Sequence, residues 1–163
     1  MQFLLFFLLM EFKVKFLKTT FDDFYGPGNT NIEEYTGPKY TGRQTPKNQN
    51  VYVHDCLFQN CLSSSNGGAL SCDNSIYKLL IHQTSFISCQ TSSSNGGGIY
   101  FNSQTNGQCI MSKVCGYNCS SSYRGLFAYT RMNSNNINYK NHANDTSITR
   151  SLNTKTNSLI TLD

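Results

Sequence analysis

The 163-residue chain reads as an all-β protein, a short right-handed parallel β-helix of about three coils with an N-terminal strand or hydrophobic segment. Three observations predict this. A segment of about 30 residues recurs, as solenoid repeats do. Apolar residues fall at the same places in each copy, at period two, as stacked strands with one inward face require. Polarity comes from Ser, Thr, Asn and Gln, because charged residues make up only 13% of the chain, about half of the ~25% usual in soluble domains.

The repeat begins near Val51. Val53-His54-Asp55-Cys56-Leu57-Phe58-Gln59-Asn60-Cys61 matches Ile81-His82-Gln83-Thr84-Ser85-Phe86-Ile87-Ser88-Cys89 at an offset of 28 residues. Both copies run through serine-rich turns into Asn66-Gly67-Gly68-Ala69-Leu70 and Asn95-Gly96-Gly97-Gly98-Ile99. A third copy starts at Met111, reaches Cys119, and continues to Arg124-Gly125-Leu126-Phe127, with Gly116 at the place of the phenylalanine. Aligned in this way, Val51, Leu79 and Cys109 form one apolar column, and Val53, Ile81 and Met111 form a second. Cys61, Cys89 and Cys119 form a third, followed by Leu70, Ile99 and Phe127, and by Cys72, Phe101 and Tyr129. Ile137 and Tyr139 extend the first two columns into a degenerate fourth copy. The predicted inward set is Val53, Phe58, Leu70, Ile81, Phe86, Ile99, Phe101, Phe127 and Tyr129. A single coil cannot bury such a row alone; coils stacked ~4.8 Å apart cover one another. The glycines permit a sharp corner where a Cβ would clash. The main rival solenoid, the leucine-rich repeat, needs a Leu-x-x-Leu-x-Leu frame that the chain lacks.

Outside the repeats, residues 1–19 form a hydrophobic N-terminal segment, with an uncharged run from Phe3 to Leu9. It reads either as a signal peptide or as a capping strand. No positive charge precedes the run and no small-x-small cleavage site follows it. Phe12, Val14 and Phe16 alternate with charged residues, as a strand would. The run is too short to cross a bilayer as a helix, so no transmembrane span is expected. All three prolines fall between Gly26 and Lys47, so residues 20–49 read as a Pro/Gly-rich loop or linker. Residues 50–140 hold the β-helix repeats, and 141–163 a degenerate final coil or polar tail.

The repeat motifs resemble the polymorphic outer-membrane-protein family of chlamydiae and the similar repeats of trichomonad-type surface proteins. The matching stretches are Gly67-Gly68-Ala69-Leu70, Gly97-Gly98-Ile99, Phe58-Gln59-Asn60-Cys61 and Phe86-Ile87-Ser88-Cys89. Cysteine stands where that family often has asparagine. The resemblance covers residues 51–130 and implies a parallel β-helix displayed outside the cell. It implies an extracellular or cell-surface location and a role in adhesion or as a coat. A host or cell-surface glycan or protein would be the partner.

Candidate chemistry is sparse. Carbohydrate-cleaving β-helices of the pectate-lyase-like class need clustered acids on one exposed face. Asp55 and Asp73 are not at equivalent places in adjacent coils, and Lys113 and Arg124 have no evident partner acid. His54 and His82 align and read as exposed residues stacked beside the strand. Cys109, Cys115 and Cys119 lack the paired spacing of a zinc site. Tyr77 and Tyr100 read as isolated outward aromatics. Hence no catalytic, cofactor-binding or metal-binding residue and no cofactor is assigned. The reading is a non-enzymatic surface or secreted repeat protein, adhesin-like or structural. The alternative is a carbohydrate-binding or carbohydrate-cleaving β-helix. The net charge of +4 is scattered rather than gathered with aromatics, so no nucleic acid is expected as partner. Sequons at Asn118 and Asn144 would suit secretion.

Two further expectations concern the coils. Their open ends should self-associate unless the N-terminal segment caps them. Of the seven cysteines, Cys61, Cys89 and Cys119 should stack as reduced thiols. In-register Cβ atoms lie ~4.8 Å apart, whereas a relaxed disulfide wants roughly 3.5–4.5 Å. Cys89→Ser should cost roughly 1–3 kcal/mol through a buried hydroxyl without a partner.

Overall fold

The computed structural model describes residues 18–103, 106–132, 139–149 and 160–162. The segment before residue 18, read as signal peptide or capping strand, and Ile137 lie outside them. The first full coil holds strands following an edge strand β1 (Ile32–Tyr40): β2 (Asn50–Gln59), β3 (Leu62–Ser63) and β4 (Leu70–Cys72). The second holds β5 (Lys78–His82), β6 (Ser85–Ile87), β7 (Gln90–Thr91) and β8 (Ile99–Ser103). The third holds β9 (Gln108–Ser112), β10 (Cys115–Tyr117), β11 (Ser120–Ser121) and β12 (Ala128–Met132). A partial fourth adds β13 (His142–Asn144), β14 (Ser147–Thr149) and β15 (Ile160–Leu162). Every pairing is parallel, between equivalent strands of successive coils. The chain is therefore a parallel β-solenoid of about three turns.

Three columns of left-handed residues make the corners of each coil. Asp55 (φ 49°), Gln83 (44°), Lys113 (55°) and Asp145 (50°) form the first, and Asn60 (56°), Ser88 (52°) and Asn118 (53°) the second. Gly67 (72°), Gly96 (71°) and Gly125 (61°) form the third. Asn, Asp and Gly enter this region at lower cost than other residues, so the recurring Asn-Gly pair marks a turn of the coil. Beside the third corner, coils approach too closely for a side chain. A Cβ on Gly97 would lie 2.1 Å from the Leu126 carbonyl oxygen.

The interior is a set of ladders. Val51, Leu79 and Cys109 are in register, as are Val53, Ile81 and Met111, and all are buried. The aromatic ladder runs Tyr40, Phe58, Phe86. Tyr40 stacks on Phe58 at 4.9 Å, and Phe58 on Phe86 at 4.8 Å with a 4° interplanar angle. Gly116 takes the next register position. Phe127 reaches in from the third corner to fill the space, meeting Phe86 edge-on at 5.6 Å and 72°.

That substitution of place corrects the third-coil register. Ala128, not Phe127, pairs with Ile99, and Thr130, not Tyr129, pairs with Phe101. Phe127 corresponds instead to Gly98 and Ala69, one residue after the close-approach positions. Tyr129 falls opposite Tyr100 in the outward column and stacks on it at 5.4 Å and 9°. It is therefore not one of the inward residues, although it is buried, and Tyr100 is not isolated. The fourth coil is shifted as well: Ala143 pairs with Met111, and Asn141 Oδ1 accepts from the Cys109 N–H at 2.7 Å. Ala143, rather than Tyr139, thus continues the second column.

The largest correction concerns residues 20–49, read as loop or linker. They contain a one-turn helix, α1 (Phe21–Tyr25), and the nine-residue β1. β1 pairs with β2 from Ile32↔Asn50 to Tyr40↔Phe58, and Gln44 bridges to Leu70. The segment is thus an incomplete coil laid over the first. Pro38 is tolerated because β1 pairs on one side only among the described residues, and an edge strand can spare an N–H. Two register shifts interrupt β1; bulges, proline and charge are features that blunt a sheet edge. Thr20 and Asp23 form a capping box that starts α1, with the Thr20 N–H donating to Asp23 Oδ2 at 2.7 Å.

Candidate functional site

The outer face of the β2–β5–β9 sheet is covered, which explains why the strands are apolar on both faces. Tyr52, Leu80 and Ile110 point outward in register, and α1 lays Phe21, Phe24 and Tyr25 over them. Strands buried on both sides read as continuous apolar runs, and Val51-Tyr52-Val53, Leu79-Leu80-Ile81 and Cys109-Ile110-Met111 are such runs. The Tyr25 hydroxyl donates to the Leu79 carbonyl at 2.7 Å, and that of Tyr52 to the Thr19 carbonyl at 2.8 Å.

His54 and His82 follow on the same face, and both are buried, at 1% and 4% exposure. The expectation that they are exposed is therefore wrong, because the cap segment folds over them. His54 stacks on Tyr52 at 4.1 Å. Its Nδ1 lies 2.8 Å from Asp55 Oδ2, and its Nε2 lies 2.5 Å from Glu34 Oε1. Lys18 Nζ reaches the same Glu34 oxygen at 3.3 Å. The hydrogen bond from His54 holds Glu34 below the ordinary carboxylate range; partial burial opposes it and Lys18 adds to it. This group ties β1 to β2. His82, one coil on, has no hydrogen-bond partner on either ring nitrogen. It packs against the Phe24 ring at 5.5 Å.

The cysteine column lies inside the solenoid, away from the histidines. Cys61, Cys89 and Cys119 are fully buried free thiols. Each thiol lies within S–H donating distance of the ladder carbonyl one coil back: Cys61 Sγ to Tyr40 O at 3.5 Å, Cys89 to Phe58 O at 3.6 Å, and Cys119 to Phe86 O at 3.5 Å. The flanking sulfurs of Cys119 and Cys61, together with burial, push the Cys89 thiol up. Burial pushes Cys109 up to about 12. Cys89 and Cys109 therefore stay protonated at neutral pH and are poor nucleophiles, whereas the hydrogen bond with Cys89 draws Cys61 and Cys119 down against burial, and these two are shielded by being buried. These acceptor carbonyls also revise the Cys89→Ser expectation, since a serine hydroxyl would not lack a partner there. The cost should come from a shorter bond and lost packing, and fall near the low end of roughly 1–3 kcal/mol. In alkylation of the folded, unreduced protein followed by mass spectrometry, exposed Cys115 should react. Cys61, Cys89 and Cys119 should react only after denaturation. A cross-linked Cys61–Cys89 or Cys89–Cys119 peptide would show an oxidised ladder instead.

The remaining candidates are not brought together. Asp55 and Lys113 sit at the first corner, in one column of exposed side chains but two coils apart. Asp73 occupies a turn after β4, where its Oδ1 accepts from the Ser75 N–H and hydroxyl at 3.2 and 2.9 Å. Arg124 lies at the third corner. Cys109 and Cys119 are interior and Cys115 exterior, and no three His, Cys, Asp or Glu among the described residues could hold a metal ion. A cavity of about 240 Å³ opens at the last coil between Cys109, Met111, Thr130, Met132 and Ile160. Its walls are mostly apolar.

No protein-family model matches the chain, and no curated protein or solved structure matches it either.

Proposed function

We propose that the chain is a non-enzymatic surface or secreted repeat protein with a structural or adhesin-like role. The observation that carries this reading is the use made of its repeated polar side chains, which serve the stacking itself. Ser93 Oγ donates to the Ser64 carbonyl at 2.5 Å, and Ser122 Oγ donates to the Ser92 carbonyl. Asn66 Oδ1 accepts from the Asn95 N–H at 3.2 Å, and Asn95 Oδ1 from the Arg124 N–H at 3.1 Å. Hydroxyls and amides bound in this way build a wall rather than a reaction centre. The motif resemblance to polymorphic outer-membrane-protein repeats supports display outside the cell. Among the described residues no helix is long and apolar enough to cross a membrane.

Labelling intact producing cells with a membrane-impermeant amine reagent should modify the protein, or recover it labelled from the medium. Labelling only after lysis would refute surface display. Cleavage of acidic polysaccharides should be undetectable. Activity that disappears in Asp55→Asn or Asp73→Asn would establish the enzymatic alternative.

A further inference from the structure

Two histidines one coil apart occupy opposite environments, and the difference has a direction. His54 and His82 are in register across β2 and β5, followed by Ser112 on β9. His54 faces carboxylate oxygens from two elements, Glu34 on β1 and Asp55 at the corner. When protonated, both of its ring nitrogens are donors, which matches those two acceptors. His82 has no such partner. Above it is the Phe24 ring of α1, and beside it are Leu80 and the apolar patch that α1 covers.

We propose that His82 is an acid-sensitive latch, whose protonation releases α1 from the outer face of the β2–β5–β9 sheet. A cation at His82 would lose most of its water without gaining a carboxylate partner, which is costly; the Phe24 ring face and the Gln83 side chain return only part of that cost. The charged groups acting on it are Asp55 and His54 from the first coil and Lys113 from the third. Its own neighbour Gln83 contributes a polar side chain, and α1 offers Phe24. Two of the three charged or titratable groups, Lys113 and His54, oppose protonation. Asp55, which favours it, is already engaged by His54.

Burial holds the His82 imidazole below its ordinary value near 6.5, against the pull of Gln83 and with Lys113 adding to the depression. The docked state therefore binds fewer protons than the released one. This contribution to docking is present above about pH 6.5 and is lost as pH falls through the imidazole range. Asp23, Glu33 and Glu34 stay ionised over that window. Hydrogen bonds to Thr20 hold Asp23 low. At Glu33 burial is outweighed by hydrogen bonds from Tyr35, Asn48 and Lys47. The strand pairing of β1 thus persists while the latch opens, so release concerns α1 rather than the whole fold.

Release is read by hydrogen exchange on the full chain at pH 7.5 and pH 5.0, expressed as protection factors. Amides around residues 21–26 should lose protection by about tenfold or more at the lower pH, with those of β6 and β8 unchanged. His82→Phe should keep α1 protected at both. Because that variant alters packing, NMR titration of the three histidines in the unmodified protein provides the second measurement. His82 should titrate below 6.5, together with the loss of protection. Unchanged protection at pH 5.0, a His82 midpoint at or above 6.5, or acid release that survives in His82→Phe would each overturn the latch.

Discussion

A chain beginning at residue 48 should no longer behave as a monomer. Size-exclusion chromatography with light scattering at micromolar concentration should show dimers and larger species, or a precipitate, where the full chain elutes alone. The truncation removes Tyr40 from the face of Phe58 and strips the hydrogen-bonded edge of β2. It also uncovers Tyr52, Leu80 and Ile110 by deleting α1. Four large side chains, those of Phe21, Tyr25, Tyr35 and Tyr40, cease to bury surface, at roughly 1.5–3 kcal/mol for the buried Phe21 and less for each half-buried tyrosine. That loss is comparable with the ~5–15 kcal/mol that holds a typical domain folded. An exposed, flat, apolar β2 edge is a template for pairing with another chain. A monodisperse, folded truncated monomer would show that residues 18–47 are ornamental.

The second large effect concerns Phe127 and Gly116. Phe127→Ala should destabilise by about 3–5 kcal/mol, the usual range for emptying a buried aromatic site. Gly116→Phe restores the phenylalanine that the other two copies carry, yet it should also destabilise. A Cβ at Gly116 would already lie 2.7 Å from Phe127 Cδ2, and overpacking of this kind costs about 1–3 kcal/mol or more. Combined, the two changes recreate the arrangement of the first coil, Phe58 with Ala69. The double variant should lie within about 1 kcal/mol of the native chain, a coupling of about 3 kcal/mol or more, at or above the upper end of what contacting residues usually show. Denaturant midpoints of the four proteins measure this. Additive losses would mean that Phe127 does not occupy the ladder.

These two sites also show what the sequence reveals and what it hides. The columns through Val53 and Cys61 are legible because both shift together, by 28 and then 30 residues, and nothing else competes for the interior. The third-coil register is hidden by the same compensation that makes it stable. With Gly116 in the ladder, an aromatic residue must come from elsewhere, and Phe127 then looks like the successor of Ile99 rather than of Gly98. The cap is hidden because proline and glycine usually mark loops. Here Gly37 and Pro38 sit on an edge strand that pairs on one side only among the described residues, where no N–H is demanded. The burial of His54 and His82 follows from the cap and could not be read without it. One signal was available: Tyr52, Leu80 and Ile110 are apolar at outward positions, and outward apolar residues in three successive coils need a cover.

Gly68, Gly97 and Leu126 follow one another beside the third corner. Each of the two glycines is pressed by the carbonyl oxygen of the following coil, at 2.0 Å for a Cβ on Gly68 and 2.1 Å on Gly97. Leu126 places a real side chain where a further carbonyl would have to lie. Among the described residues the β3–β7–β11 sheet has no strand after β11, while the other two sheets gain strands from the fourth coil. A leucine at this place bars the close carbonyl approach that the two glycines allow, so a coil of the same kind could not stack against this corner as tightly as the first three do against one another.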